Sequence, residues 1–255
     1  LPLANEDIQE LEMQNRNYQG VSKIEVAASS TGQALIKVDS KLSSTDRLVE
    51  RAGGRTFRIT PGGFWQVHKR APEVLTSAVN AAIAAVGIDK DADNLDLYGG
   101  VGLFAGTMAA KFGSDLRCTT VEAYKQATED ATLNLNDLPR VKAVCQPTER
   151  FLNERASEAK AEAKKAKAEG LAAPKSTATV VLDPPRAGAG AHVIQRLTEI
   201  APKHIVYVAC DPIALARDLK PLLAEGYELK SLRAFDLFPH THHVECVASL
   251  VRKDA

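Results

Sequence analysis

The stretch His204 to Leu219, HIVYVACDPIALARDL, decides how the rest of the chain is read. HIVYVA is a β-branched and aromatic run of strand length, the pattern of a strand buried on both faces of a parallel sheet. ALARDL, running on into KPLL, is helical in composition. Between them stand Cys210, Asp211 and Pro212. Asp favours the N-cap and Pro the first helical position, so a helix is expected to start right after the cysteine. That puts a thiol at the carboxyl end of a strand and the amino end of a helix. Parallel α/β sheets bind ligands along this edge, and a helix amino terminus favours the thiolate and lowers the thiol's pKa. The competing reading is a buried structural cysteine, common for free Cys; the position at the sheet edge argues for a functional thiol.

Length and charge set the bounds. At 255 residues the chain suits one large domain, or one domain with a partial neighbour. Its 32 basic and 32 acidic side chains cancel, whereas a protein that grips nucleic acid alone usually carries a basic excess. Any RNA contact is therefore expected from a local patch or from a part outside this chain, which begins at Leu1 rather than Met as a fragment or processed chain does. Cys118, Cys145, Cys210 and Cys246 lie far apart with no C-x-x-C pair, which argues against a zinc or iron–sulfur site. There is no signal peptide and no membrane-spanning apolar run. The expected location is the cytoplasm, with no membrane partner.

Residues 1–60 read as a small, partial β-rich extension, the remnant of a preceding domain. KIEVAASSTGQALIKVD alternates as strands do, with a turn at Thr31-Gly32, and DRLVERAGGRTFRIT makes a strand pair around Gly53-Gly54. Arg47, Arg51, Arg55 and Arg58 form a mild basic cluster, read as a solvated face. The main domain is expected over 61–255. It opens with Phe64-Trp65-Gln66, a turn with Trp65 in the core, before an amphipathic helix starting near Ala71-Pro72.

NLDLYGGVGLFAGTMAAKFG follows: a short strand ending at Asp96, a turn with Gly99, Gly100 and Gly102, then a helix. Such a turn lets backbone pass close to a ligand at a helix amino end, and fits NAD, S-adenosylmethionine or a purely structural role. The next strand, RCTTVE, ends in Glu122, placed to hydrogen-bond a ribose hydroxyl pair or to cap the following helix. AYKQATEDATLNLNDL is helical and VKAVC is a strand. NERASEAKAEAKKAKAEG has no apolar stripe and reads as a solvated helix or mobile insertion near 153–175. TATVVLDPPRAGAG is a buried strand with Asp183 at its carboxyl end, where two prolines forbid an immediate helix. His240, His242 and His243 lack spaced carboxylate or cysteine partners, so packing is expected of them rather than metal binding.

In this order the motifs resemble the uracil-5 RNA methyltransferase family. The resemblance covers about Pro61 to Arg252 and rests on GFWQVH, LDLYGGVGLFA, VLDPPRAG, YVACDPIALARDL and FPHTHHVECVASL. It implies a doubly wound α/β, Rossmann-like class I methyltransferase sheet with S-adenosyl-L-methionine as cofactor. It also implies C5 methylation of a uridine in tRNA or ribosomal RNA; the chain itself is expected to be a monomer and to hold no metal. By the same resemblance Cys210 is the nucleophile and Glu245 the general base. Gln66, Tyr98, Glu122 and Asp183 form the cofactor site: Glu122 on the ribose, Tyr98 and Gln66 beside the cofactor, Asp183 between cofactor and base.

The chemistry explains these residue types. C5 of uracil is too weak a nucleophile to take a methyl group directly, but a thiolate adding to C6 makes an enolate whose C5 is nucleophilic. A base must then remove the C5 proton so that the thiol can leave. The target base has to leave its stack or be presented in a loop, and Phe64, Trp65 and Phe238 are available to stack on it, although core packing is the reading preferred for each.

Several positions depart from the family pattern. Gly99 stands where many members carry Cys, Leu103 where many carry a polar residue, and Pro147 near where an acid or amide often meets the adenine. The RNA-binding β-barrel of many members is also missing, so cofactor binding with weak RNA binding is expected. Two other readings compete: a catalytically idle RNA- or cofactor-binding domain, and a nicotinamide-dependent oxidoreductase. The joint presence of Cys210 and Glu245 speaks against the first, and a DPPR motif with a capped cysteine against the second.

Overall fold

The computed structural model describes residues 19–253, apart from 33, 40, 43–46, 173–175, 239 and 242. Strands β1 (Ile24–Ala28), β2 (Ala34–Val38) and β3 (Lys41–Leu42) form a small antiparallel sheet. β4 (Leu48–Ala52) and β5 (Arg55–Ile59) form a separate hairpin turning at Gly53 and Gly54, both at positive φ.

Helix α1 (Ala71–Val86) leads into the main sheet: β6 (Asn94–Leu97), α2 (Leu103–Phe112), β7 (Cys118–Glu122), α3 (Lys125–Asn134), β8 (Val141–Cys145), α4 (Thr148–Ala168), β9 (Thr179–Leu182), α5 (Gly190–Ile200), β10 (His204–Ala209), α6 (Pro212–Ala224), β11 (Tyr227–Phe235) and β12 (Glu245–Arg252). The strand order is β11-β12-β10-β9-β6-β7-β8, with β12 antiparallel to both its neighbours and the other pairs parallel. The chain moves outward from β6 to β8 and then returns to the other side of β6 with β9. The reversal leaves a crevice at the carboxyl ends of β6 and β9, where open α/β sheets take their ligands. The doubly wound α/β expectation is met.

NLDL, TVVL and HIVYVA are buried at every position because helices cover both faces. Alternation sends Leu95, Leu97, Val180, Leu182, Ile205 and Tyr207 into a core with α4, α5 and α6. Val181, Val206, Val208 and Val247 pack on the other face with α1, α2 and α3. Each buried aliphatic side chain contributes roughly 1.5–3 kcal/mol, so this interleaving pins the strand register.

One expectation is corrected, and another is narrowed to its helical reading. Of the four arginines read as a solvated face, Arg47 and Arg55 clamp the β4–β5 hairpin onto α3 and its end. Arg47 Nε lies 2.7 Å from Asp130 Oδ1, and Arg55 Nη2 lies 2.6 Å from Asp137 Oδ1. Only Arg51 and Arg58 are exposed. The Ala/Lys/Glu-rich stretch is the distal part of α4, the crossover between β8 and β9, and its Ala156 and Ala166 are buried. Alanines gave no hydropathy stripe, yet their small side chains let α4 lie close against α5; residues 173–175 of that stretch lie outside the described residues.

Candidate active site

Each of the three central parallel strands carries a titratable side chain at or just beyond its carboxyl end. Cys210 follows β10 and precedes α6, whose N-cap Asp211 accepts a hydrogen bond from the Ala214 N–H at 2.7 Å, with Pro212 in the first turn. Ala209 pairs with Cys246 in the β10–β12 ladder, so Cys210 and Glu245 occupy the next register position. By alternation both stand on the face of Val208 and Val247, the side covered by α1 and α2. Asp183, two residues after Val181, and Asp96, flanked by the opposite-facing Leu95 and Leu97, share that face.

The result is a row of three carboxyl groups, Asp96, Asp183 and Glu245, ending at a thiol. Burial pushes the Glu245 carboxyl up to about 7, and the Asp96 carboxyl likewise to about 7 against the pull of the Ala105 N–H and the Thr120 hydroxyl. Burial, then the charges of Glu245 and Asp96, hold Asp183 well above the carboxylate range. The lowered thiol pKa expected from the helix terminus is not found. Burial, Glu245 and Asp183 raise the Cys210 thiol, and its own backbone N–H and the Arg186 charge only partly offset them. A helix terminus is a weak partial charge and does not offset burial and the neighbouring carboxyl groups.

The glycine turn is tied to the neighbouring strand. Glu122 accepts from the Gly100 N–H at 3.1 Å through one oxygen and from the Tyr124 N–H at 2.7 Å through the other. It therefore caps α3, as one reading had it, and it retains lone pairs for a ligand hydroxyl. Gln66 reaches the row from the loop before α1, its Nε2 donating to Asp183 Oδ2 at 3.5 Å. Tyr98 packs toward the other face of the sheet. Its backbone is left-handed, at φ 59°, which breaks the strand alternation and lays its ring against the opposite core beside the start of α4. Burial raises its hydroxyl to about 12 despite a hydrogen bond with Thr148.

Three contributors were not legible in the sequence. Asp96 was read only as a strand end, and Thr120 not at all. Asp218 is 2% exposed and accepts from the Tyr207 hydroxyl at 2.8 Å and from the Ala189 N–H at 2.7 Å. It thereby fastens the DPPRAGAG loop after β9 to the helix that follows Cys210. Gly188, at φ 79°, is required in that loop because a Cβ there would lie 2.5 Å from Asp218 Oδ2. An acid directly before a glycine turn is the one sequence signal that could have marked Asp96.

Among the aromatic candidates, Trp65 is half-buried and packs on Phe57, with ring centroids 5.7 Å apart. Phe238 meets His243 edge-on at 6.0 Å. Phe64 is 69% exposed, so core packing is corrected for that ring. His242 lies outside the described residues. Among the described residues no cluster of three metal-ligating side chains occurs, and no helix is long and apolar enough to cross a membrane.

Comparison with known proteins places this architecture. The family model for tRNA (uracil-5-)-methyltransferases matches residues 5–253. An uncharacterized RNA methyltransferase of Streptomyces avermitilis is 44% identical over 206 residues, covering 79% of this chain and 42% of its own length. Another, from Bifidobacterium longum, is 38% identical over 237 residues, covering 90% and 51%. Among solved structures, the Pyrococcus abyssi tRNA (uracil-54, C5)-methyltransferase, in complex with S-adenosyl-L-homocysteine, superposes with a TM-score of 0.62 at 27% identity, over 84% of this chain and 46% of that one. The chain spans about half the length of the curated relatives it matches. The fold is that of the class I methyltransferases, and by the family match over nearly its whole length the chain belongs to the tRNA (uracil-5-)-methyltransferase family.

Proposed function

We propose that this chain transfers a methyl group from S-adenosyl-L-methionine to C5 of a uridine in RNA, with Cys210 as nucleophile and Glu245 as general base. The observation that carries the reading is that Cys210 and Glu245 each lie one residue beyond the terminal Ala209–Cys246 pair of β10 and β12, close enough for the Glu245 and Asp183 carboxyls to act on the thiol. The cofactor supplies an electrophilic methyl group on a positively charged sulfur. The residues present fit such a ligand: a glycine turn at the start of α2, Glu122 with free lone pairs for a hydroxyl pair, Gln66 on Asp183, and the buried Asp96 Oδ1 without a partner.

The steps balance without an outside reagent. The Cys210 thiol gives its proton to solvent water and the sulfur bonds to C6, moving the ring π electrons onto the enolate. C5 then takes the methyl group as the sulfur–methyl bond breaks. Glu245 removes the C5 proton, the double bond re-forms, and the C6–sulfur bond breaks to return the thiolate. Raised carboxyls suit these roles. Glu245 near neutrality is a stronger base than an exposed carboxylate, and a cationic cofactor beside the row offsets the carboxylate charges that hold the Cys210 thiol up. The exposed Phe64 ring and the 82% exposed Ile213 leave apolar surface near Gln66 and Cys210 for an unstacked base.

The test is to incubate the chain with methyl-labelled S-adenosylmethionine and unmodified tRNA or ribosomal RNA, then digest and separate the nucleosides. Label in 5-methyluridine is expected. Label in another nucleoside, or none from protein that binds the cofactor and RNA, would contradict the reading.

A further inference from the structure

Gly99 is a glycine for a reason other than backbone conformation. A Cβ built there would lie 1.9 Å from Thr120 Oγ1, 3.2 Å from Thr120 Cβ and 3.0 Å from Asp96 Oδ2. The obstruction is a built contact. The Thr120 hydroxyl, 1% exposed, donates to Asp96 Oδ2 at 3.1 Å. The same oxygen accepts from the N–H of Ala105, the third residue of α2, at 3.0 Å. The N-cap of α2 is Gly102, which has no side chain to cap with. Asp96 therefore does the capping from the strand below. Thr120 also belongs to a run of three consecutive β7 residues that fix the turn. The Val121 carbonyl accepts from the Gly99 N–H at 3.0 Å, and Glu122 accepts from the Gly100 N–H.

We propose that Thr120 is a positioning residue for the cofactor turn: its hydroxyl steers Asp96 onto the first turn of α2 and fills the space that a side chain on residue 99 would need. This rests on reading the turn as the S-adenosylmethionine site. Turning the Thr120 side chain away to admit a residue-99 side chain surrenders the bond to Asp96, so the two positions are coupled. Without that bond the Asp96 carboxyl keeps only the Ala105 N–H, and the glycine turn loses its buried anchor.

The test measures S-adenosylhomocysteine affinity by calorimetry, and KM for S-adenosylmethionine against kcat, for Thr120→Val, Thr120→Ser, Gly99→Ala and the double variant Gly99→Ala/Thr120→Ala. Thr120→Val keeps the shape and removes one buried hydrogen bond. It is expected to weaken cofactor binding about tenfold, with KM rising in step and kcat within about threefold. Thr120→Ser keeps the hydroxyl and should bind within about threefold of the unsubstituted chain. Gly99→Ala should weaken binding at least about tenfold, and the double variant should recover part of that loss, since truncating Thr120 removes the nearest atom. Cofactor affinity unchanged in Thr120→Val, or a double variant no better than Gly99→Ala alone, would overturn the proposal while leaving the reading of the site intact. Failure of the unsubstituted chain to bind S-adenosylhomocysteine would overturn both.

Discussion

Cys210 and Glu245 are carried by two strands that pair antiparallel, and each lies one register step beyond the Ala209–Cys246 pair. A thiol and a carboxyl so placed flank the end of the β10–β12 ladder, between the second and third strands of a seven-stranded sheet. The base in the proposed reaction is thus held on a strand and the nucleophile one residue past its strand, just before the N-cap of α6, so both are fixed by the ends of packed elements.

Glu245→Gln keeps the side-chain shape and removes the base. The steps up to methyl transfer remain open and the elimination does not, so a covalent protein–RNA species is expected to accumulate with ordinary uridine RNA. Release of methylated product should fall about 10²–10⁴-fold. A denaturing gel reads both, and a variant that turns over at the original rate would exclude Glu245 as the base.

Activity should rise with pH across neutrality. Glu245, raised to about 7 by burial, must be ionised to accept a proton, and the raised Cys210 thiol must be ionised to attack. Both requirements fail as pH falls, so single-turnover release of 5-methyluridine RNA is expected to drop as pH is lowered through about 7. A rate independent of pH between about 6 and 8 would contradict these roles.

Stability should move the opposite way. Asp96 and Glu245 at about 7, and Asp183 well above the carboxylate range, hold protons in the folded chain that the unfolded chain has released. Their contribution is fully present below the ordinary carboxylate range and is lost as pH rises through the folded values. His204, lowered from 6.5 to about 4 by burial, acts in reverse, adding stability as pH rises to 6.5 and nothing beyond. Above 6.5 the row therefore dominates, and the melting temperature of the ligand-free chain should fall between about pH 6.5 and 8. Asp183→Asn should flatten that fall; an unchanged slope would show that the row does not titrate there.

The hairpin depends on Asp130. It is 1% exposed and accepts from Arg47 Nε at 2.7 Å and from the N–H and hydroxyl of Thr60 at 2.7 and 2.9 Å. Asp130→Ala strands these donors and should cost about 2–4 kcal/mol, with faster amide exchange in β5. Denaturant unfolding within about 0.5 kcal/mol of the original chain would argue that the clamp is idle.

Local signals gave most of the architecture. The uninterrupted apolar runs TVVL and HIVYVA, the glycine turn and the Asp211-Pro212 cap each occupy the expected place in the fold, because each is decided by a few neighbouring residues. What escaped the sequence depends on distant partners. Arg47 and Arg55 looked solvated until Asp130 and Asp137 came to meet them. The Cys210 thiol looked activated until folding set Glu245 and Asp183 beside it. Gly99, where many family members carry Cys, looked like a departure until Thr120 proved to fill the space. The Tyr98 ring lies on the side opposite to strand alternation through one backbone angle. No periodicity carries that information.

The most direct test of Cys210 as nucleophile is intact-mass spectrometry after incubation with S-adenosylmethionine and RNA carrying 5-fluorouridine. Fluorine at C5 leaves no proton for Glu245 to remove, so the reaction should stop with RNA bonded to the protein through Cys210 and already methylated. Cys210→Ala should give no adduct. An adduct on another residue, an adduct that persists in Cys210→Ala, or none from protein that binds both cofactor and RNA would contradict the central claim.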